Sequence, residues 1–280
     1  MLKTKSILAA LALTATLATG SAVAAEAGAP IERQDWSFSG IFGTYDENQL
    51  QRGFQVFREN CASCHSADLL AFRNLGEAGG PGFTEGQVKA LAAEYEVADP
   101  TVEGGVRPAV PADTWPSPFA SEQEARDAMG GSLPPDLSVM AKARGVSDPF
   151  PWWITNYFTG YSEGGPDYIH ALLTGYHEEA PGEFELADGK YYNDVFPGHA
   201  IGMPPPLMDG AITYEPGEDG VTVPETVDQY ATDVAAFLMW VAEPHLVSRK
   251  ETGFRVLMFL VLFAGLMWAT KRRLWAGIEH

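Results

Sequence analysis

Residues Cys61-Ala62-Ser63-Cys64-His65 decide how this chain is read. Two thiols three positions apart on one turn can each add to a vinyl group of the same porphyrin. The next residue, His65, is then held under the ring with an imidazole nitrogen aimed at the iron. This C-x-x-C-H spacing is the signature of covalent c-type haem attachment. Haem iron supplies a redox couple that the protein tunes, so the pattern predicts electron transfer. Other chemistries use a C-x-x-C pair. A zinc site needs about four ligands, and no second cysteine pair exists here. A thioredoxin-like dithiol follows a buried strand, which the preceding residues do not spell, and leaves His65 without a task. A disulfide across two intervening residues is strained. Cys61 and Cys64 are the only 2 cysteines in 280 residues, so none remains to brace the fold.

Both ends of the chain differ from its middle. Lys3 and Lys5, the apolar run Ile7 to Thr19, and Ala22-Val23-Ala24 read as a secretory leader over residues 1–24, with cleavage near Ala25. Export suits bacterial haem attachment, which takes place outside the cytoplasmic membrane. At the other end, Val256 to Thr270 carries no charge and 20 residues separate Lys250 from Lys271, about the length of one membrane helix. Arg255 sits near one edge, where it can snorkel. Trp268 and Trp275 suit the opposite interface, and Lys271-Arg272-Arg273 should stay in the cytoplasm. The expected organisation is a periplasmic haem domain at 25–245, an inner-membrane anchor at 246–273 and a cytoplasmic tail at 274–280. Residues 25–245 hold 35 acidic against 10 basic side chains, while the last 35 residues hold 6 basic against 2 acidic. That excludes nucleic-acid binding and suits either a basic docking partner or plain solubility. The acidic clusters are Glu94-Glu96-Asp99-Glu103, Glu178-Glu179-Glu183-Glu185 and Glu215-Glu218-Asp219.

Between the ends the pattern is mostly helical. Leu50, Phe54 and Phe57 recur at helical spacing within Glu47 to Asn60, and Gly53 leaves room for a second helix to pass. Its expected partner is Glu225 to Ala242, where Val227, Tyr230, Ala231, Val234, Phe237, Leu238 and Val241 form a stripe between Pro224 and Pro244. Gly76 to Pro118 reads as long connections with little regular structure, apart from a helical piece at Thr84–Tyr95. Ser121 caps a short helix to Met129, with Glu124 three residues on. A rigid turn at Leu133–Leu137 precedes a helical stretch to Arg144, and 149–165 is aromatic and Gly-rich. No internal repeat is visible.

The sixth iron ligand decides between carrier and gas- or peroxide-binding chemistry. Met203, in Gly202-Met203-Pro204-Pro205-Pro206, has a backbone locked by prolines, and a methionine ligand raises the potential. His170, His177 and His199 are rivals; Met129, Met140 and Met208 lack a rigid setting. An open site would make an anchored haem sensor or peroxidase.

The ordered set Gln51-Arg52-Gly53-Phe54-Gln55-Val56, Cys61–His65, Ser132-Leu133-Pro134-Pro135-Asp136-Leu137-Ser138, Asp167-Tyr168-Ile169, Leu172–Tyr176, Phe196–Met203 and Glu243-Pro244 resembles the cytochrome c1 family. That family is the haem subunit of the quinol–cytochrome c reductase (cytochrome bc1) complex. The resemblance implies a mainly α c-type cytochrome domain with long loop insertions plus one C-terminal transmembrane helix. It implies one haem c on Cys61 and Cys64, with His65 and Met203 as axial ligands. Arg144 and Tyr168 would sit by the propionates, and Leu133, Pro134, Pro135, Leu173, Phe196, Ile201 and Pro206 would line the pocket. It also implies a subunit without its own substrate site, taking electrons from the Rieske iron–sulfur protein and passing them to soluble or membrane-anchored cytochrome c. Cytochrome b, membrane lipid and a dimeric complex are the other implied partners. A free-standing anchored carrier is the remaining reading. Two departures stand out: 149–165 is longer than in mitochondrial relatives, and the extra cysteine pair of some bacterial members is missing.

Overall fold

The computed structural model describes residues 31–145, 152–182, 184–215 and 222–277. The expected leader, the start of the 149–165 segment, Glu183, Glu218, Asp219 and the tail beyond 277 lie outside these residues.

Two helices organise the domain. α1 (Glu47–Val56) starts at Asp46, whose carboxylate accepts from Gln49 N, and buries Leu50, Gly53, Phe54 and Val56 on one face. The helix then widens into a π-type turn over Phe57–Cys61, with Ala62 N donating to Phe57 O at 2.8 Å. Such bulges re-aim side chains at functional sites, and this one delivers Cys61. α1 packs on α7 (Val227–Ala242), whose N-cap is Thr226 rather than anything nearer Pro224. The close approach expected at Gly53 is real, because a Cβ there would lie 2.1 Å from Asp233 O and 2.7 Å from Phe237 Cβ. Beside this crossing, fully buried Asp233 accepts from Arg52 Nε at 2.9 Å and Nη2 at 3.0 Å, and from Tyr214 OH at 3.0 Å. A buried carboxylate is costly unless donors such as these satisfy its oxygens. Phe54, Phe57, Trp115 and Phe237 fill the space between the helices, their rings 5.3 to 5.8 Å apart.

The remaining helices are α2 (Glu85–Ala92), α3 (Glu122–Ala128), α4 (Met140–Ala143), α5 (Trp152–Thr159), α6 (Gly164–Thr174) and α8 (Leu246–Trp275). Ser121 caps α3 as expected, although Glu124 reaches back to Ala120 N rather than to the cap itself, and Thr84 caps α2. The expectation of little regular structure over Gly76 to Pro118 is corrected. β2 (Glu96–Ala98) and β3 (Val106–Pro108) form an antiparallel hairpin, and β4 (Thr114–Trp115) pairs with β1 (Ala67–Ala71). Arg107 fastens the hairpin, donating to Asp99 at 3.0 Å and to Asp113 at 2.6 and 3.0 Å. A third pair, β5 (Tyr191–Tyr192) and β6 (Ala200–Ile201), leads into Met203.

α8 spans 30 residues, is long and apolar enough to cross a membrane, and is exposed along its apolar window. Its root is fastened to the domain. Lys250 donates to Phe38 O at 2.6 Å, and Glu243 binds Lys142 at 2.8 Å and also Arg249. Burial opposes the charge on Glu243, but these two cations outweigh it and hold the carboxyl below its usual range.

Candidate haem site

The turn carrying the thiols is closed by its own backbone: Cys64 N and His65 N both donate to Cys61 O, at 3.1 and 2.9 Å. Both cysteines are free and half-buried. Burial beside Cys64 pushes the Cys61 thiol up to about 12. No group of three or more His, Cys, Asp or Glu side chains suited to a metal occurs among the described residues, so the pair lacks the partners of a zinc site.

His65 Nδ1 lies 2.7 Å from Pro135 O. A carbonyl can only accept, so Nδ1 carries the proton and Nε2 keeps its lone pair. Burial lowers the imidazole's affinity for a further proton, against the opposing pull of Pro135 O and Asp136. A neutral imidazole, oriented through Nδ1, is what a metal-ligating histidine requires.

The other predicted residues surround this turn as three chain segments tied into a frame. The segment 132–138 joins the histidine side through Leu137 N to Ser66 O at 2.9 Å, and through Asp136, which accepts from Ser66 Oγ and Asp68 N at 2.8 Å each. Its other end meets the methionine strap. A Cβ on Gly202 would lie 2.4 Å from Ser132 Oγ, and Lys190 Nζ donates to that same hydroxyl at 3.2 Å. The strap returns to the histidine side where Asn60 Nδ2 donates to Pro206 O at 2.9 Å. Just beyond α6, Tyr176 OH donates to Met203 O at 3.1 Å. Tyr168 and Arg144 are electrostatic neighbours, burial raising the phenol and the exposed guanidinium lowering it. Leu133, Pro134, Leu173, Phe196 and Pro206 are half-buried, Ile201 is buried and Pro135 is exposed.

The rival histidines have polar partners of their own, two of them through Nε2. His170 Nε2 lies 3.0 Å from Asp228, and His177 Nε2 lies 2.5 Å from Asp194. His199 stacks on Tyr192 with its Nδ1 3.1 Å from Asn193 O. His199 takes φ 55°, uncommon outside glycine, within a turn that Asn193 shapes. The buried Asn193 amide accepts from Val195 N and Phe196 N and donates to Leu172 O. Of the rival methionines, Met208 is exposed, and Met129 and Met140 are half-buried. Sequence reasoning assigned no role to Asn60, Tyr176, Asn193, Ser132 or Lys190. Tyr176 ends the Leu172–Tyr176 motif, Ser132 opens the Ser132–Ser138 motif and Asn60 directly precedes Cys61, but none of these positions announces the contact it makes; nothing in the pattern singled out Asn193 or Lys190.

Free thiols on one turn, an imidazole with its lone pair uncommitted and a frame of half-buried apolar side chains fit a covalently bound haem. The fold and site define a c-type cytochrome. The sequence model described as the cytochrome C1 family matches residues 36–278. Cytochrome c1 of Blastochloris viridis is 48% identical over 276 residues, covering 97% of this chain and 96% of that protein. Cytochrome c1 of Rhodospirillum rubrum is 46% identical over 279 residues, covering 93% of each. Cytochrome b/c1 of Bradyrhizobium diazoefficiens is 52% identical over 244 residues, covering 86% of this chain but only 35% of that longer protein. The chain belongs to the cytochrome C1 family, the haem subunits of the bc1 complex.

Proposed function

We propose that the chain is the electron-transfer subunit of a quinol–cytochrome c reductase, receiving single electrons from a Rieske iron–sulfur protein and delivering them to cytochrome c. The observation that carries the reading is the His65 Nδ1 contact with Pro135 O, which leaves Nε2 for iron. When bound through Cys61 and Cys64, haem c supplies a one-electron iron couple.

The chain's own residues do the rest. His65 and Met203 would hold the haem iron. In support, Met203 is presented by a strap braced at Ser132, Asn60 and Tyr176, while His170 and His177 commit Nε2 to Asp228 and Asp194. Leu133, Pro134, Pro135, Leu173, Phe196, Ile201 and Pro206 would keep water off the haem, and Arg144 and Tyr168 would meet its propionates. Fixing ligands before and after transfer keeps the reorganisation small, which suits a carrier. Domain limits follow the same reading: a leader at 1–24, a periplasmic domain at 25–245, α8 within an inner-membrane anchor at 246–273, and a cytoplasmic tail at 274–280. The relative named cytochrome b/c1 carries both names in one polypeptide, which supports docking against cytochrome b. The assembled complex is dimeric.

The test is a reduced-minus-oxidised spectrum of the haem-loaded protein, followed by carbon monoxide. A c-type band untouched by the gas is expected. A band shifted by it means an open sixth position and replaces the carrier with a sensor or peroxidase.

A further inference from the structure

Where α8 leaves the domain, the loop Ile41–Thr44 turns back against it and leaves a groove of about 300 Å³. Ile41, Phe42, Val247 and Phe254 supply apolar walls, and Lys250, Glu251 and Arg255 supply charges. Phe42 is 77% exposed, and its ring sits edge-on to Phe254 at 5.6 Å. A phenylalanine so placed on a loop is costly in water. The depth of the site says what covers it. The uncharged run Val256 to Thr270 rises only about 22 Å at 1.5 Å per residue, against a hydrocarbon core of roughly 30 Å. The shortfall is about five residues. Lys271, Arg272 and Arg273 limit extension at the far end, so the missing residues are 251–255 and the hydrocarbon boundary on the domain side falls near Glu251, with Phe254 and Arg255 just inside it. Phe42 and Ile41 share that level. Lys250 lies one and a half turns nearer the domain, at headgroup height.

We infer that this groove holds one anionic phospholipid of the leaflet facing the haem domain, its acyl chain against Phe42 and Phe254 and its phosphate between Lys250 and Arg255. The two cations outnumber Glu251. Lys250 spends one of its three donors on Phe38 O and Arg255 one of its five on Glu251, so both retain N–H groups for phosphate oxygens. The loop thereby becomes a second, shallow membrane contact that fixes the tilt of the domain over its anchor. The inference rests on α8 spanning the membrane.

The experiment places the haem-loaded full chain in nanodiscs of phosphatidylcholine with a minor share of phosphatidylglycerol, then counts phospholipid retained by native mass spectrometry. Wild type should keep one phosphatidylglycerol in preference to phosphatidylcholine. Phe42→Ser and Arg255→Gln, both at exposed positions, should each weaken retention about tenfold, the scale of one lost apolar or charge-assisted contact, with the haem spectrum unchanged as the check on folding. Equal retention by wild type and both variants overturns the proposal. So does loss of cytochrome b from the purified complex in Phe42→Ser without loss of lipid, which would make the groove a protein interface. Alkaline carbonate extraction separates the two readings: release of wild type from membranes sinks the anchor itself, whereas a chain that stays put but retains no lipid sinks only the groove.

Discussion

Pro135 orients His65 with a backbone carbonyl rather than a side chain, so substitution there would leave the acceptor in place, and the ligand set is better probed at Met203. Met203→Leu removes the thioether and should lower the midpoint potential on the order of hundreds of millivolts, within the range that axial ligands span. A redox titration reads it, and an unchanged potential removes Met203 from the iron. Asn60 offers a subtler test, because its amide is the tie between the strap's far end and the thiol turn. Asn60→Ala loses a hydrogen bond worth roughly 1 kcal/mol, which should raise the detached population of the strap about fivefold. Carbon monoxide recombination with the ferrous protein measures that population, and identical kinetics would make the tie incidental. The motif positions Cys61, Cys64 and His65 were legible because covalent attachment demands those types at that spacing. The braces were not, since amide and hydroxyl contacts to carbonyls 27 and 146 positions away leave no pattern in sequence.

At the scale of elements, legibility follows length. α1 and α7 were readable because a buried stripe repeats over several turns and Gly53 marks the crossing. Gly53→Ala should therefore drive a methyl into the Asp233 carbonyl and cost roughly 1–3 kcal/mol through overpacking. A thermal melt of the haem-loaded protein should fall by about 2–4 °C per kcal/mol, whereas an unchanged Tm would show that the helices can part freely. The strands of the β2–β3 hairpin are three residues each, too short for alternation to register, and their fastening is electrostatic. Arg107, then Val110 N, hold the Asp113 carboxyl at about 2, below its ordinary 3.8. A depressed folded value means that this stabilisation is complete above the ordinary value and disappears as pH falls through about 2. Hydrogen exchange of the Val97 and Arg107 amides should accordingly accelerate between about pH 4 and 2 relative to α7. Equal acceleration in both would make acid loosening global rather than local to the hairpin.

The whole molecule carries a formal charge of −19, and the fold spends that charge unevenly. Glu94 is tied to Arg58 and Asp99 to Arg107, so the first acidic cluster is partly neutralised by the structure it belongs to. Glu178, Glu179 and Glu185 instead stand exposed on the connection from α6 to β5, with no ion partner among the described residues, on the chain that continues into the methionine strap. On the proposed reading, a basic cytochrome c approaching the domain would meet an uncompensated field there, and steering of this kind acts on the encounter rate more than on affinity. The field reaches about 30 Å at 0.01 M salt but only about 10 Å at 0.1 M. In stopped-flow mixing of the reduced complex with cytochrome c, the second-order rate should fall steeply over that range. Replacing Glu178, Glu179 and Glu185 together by Gln should flatten the dependence while leaving the midpoint potential unchanged. A slope equal to wild type would assign those carboxylates to solubility and move the docking surface elsewhere on the acidic domain.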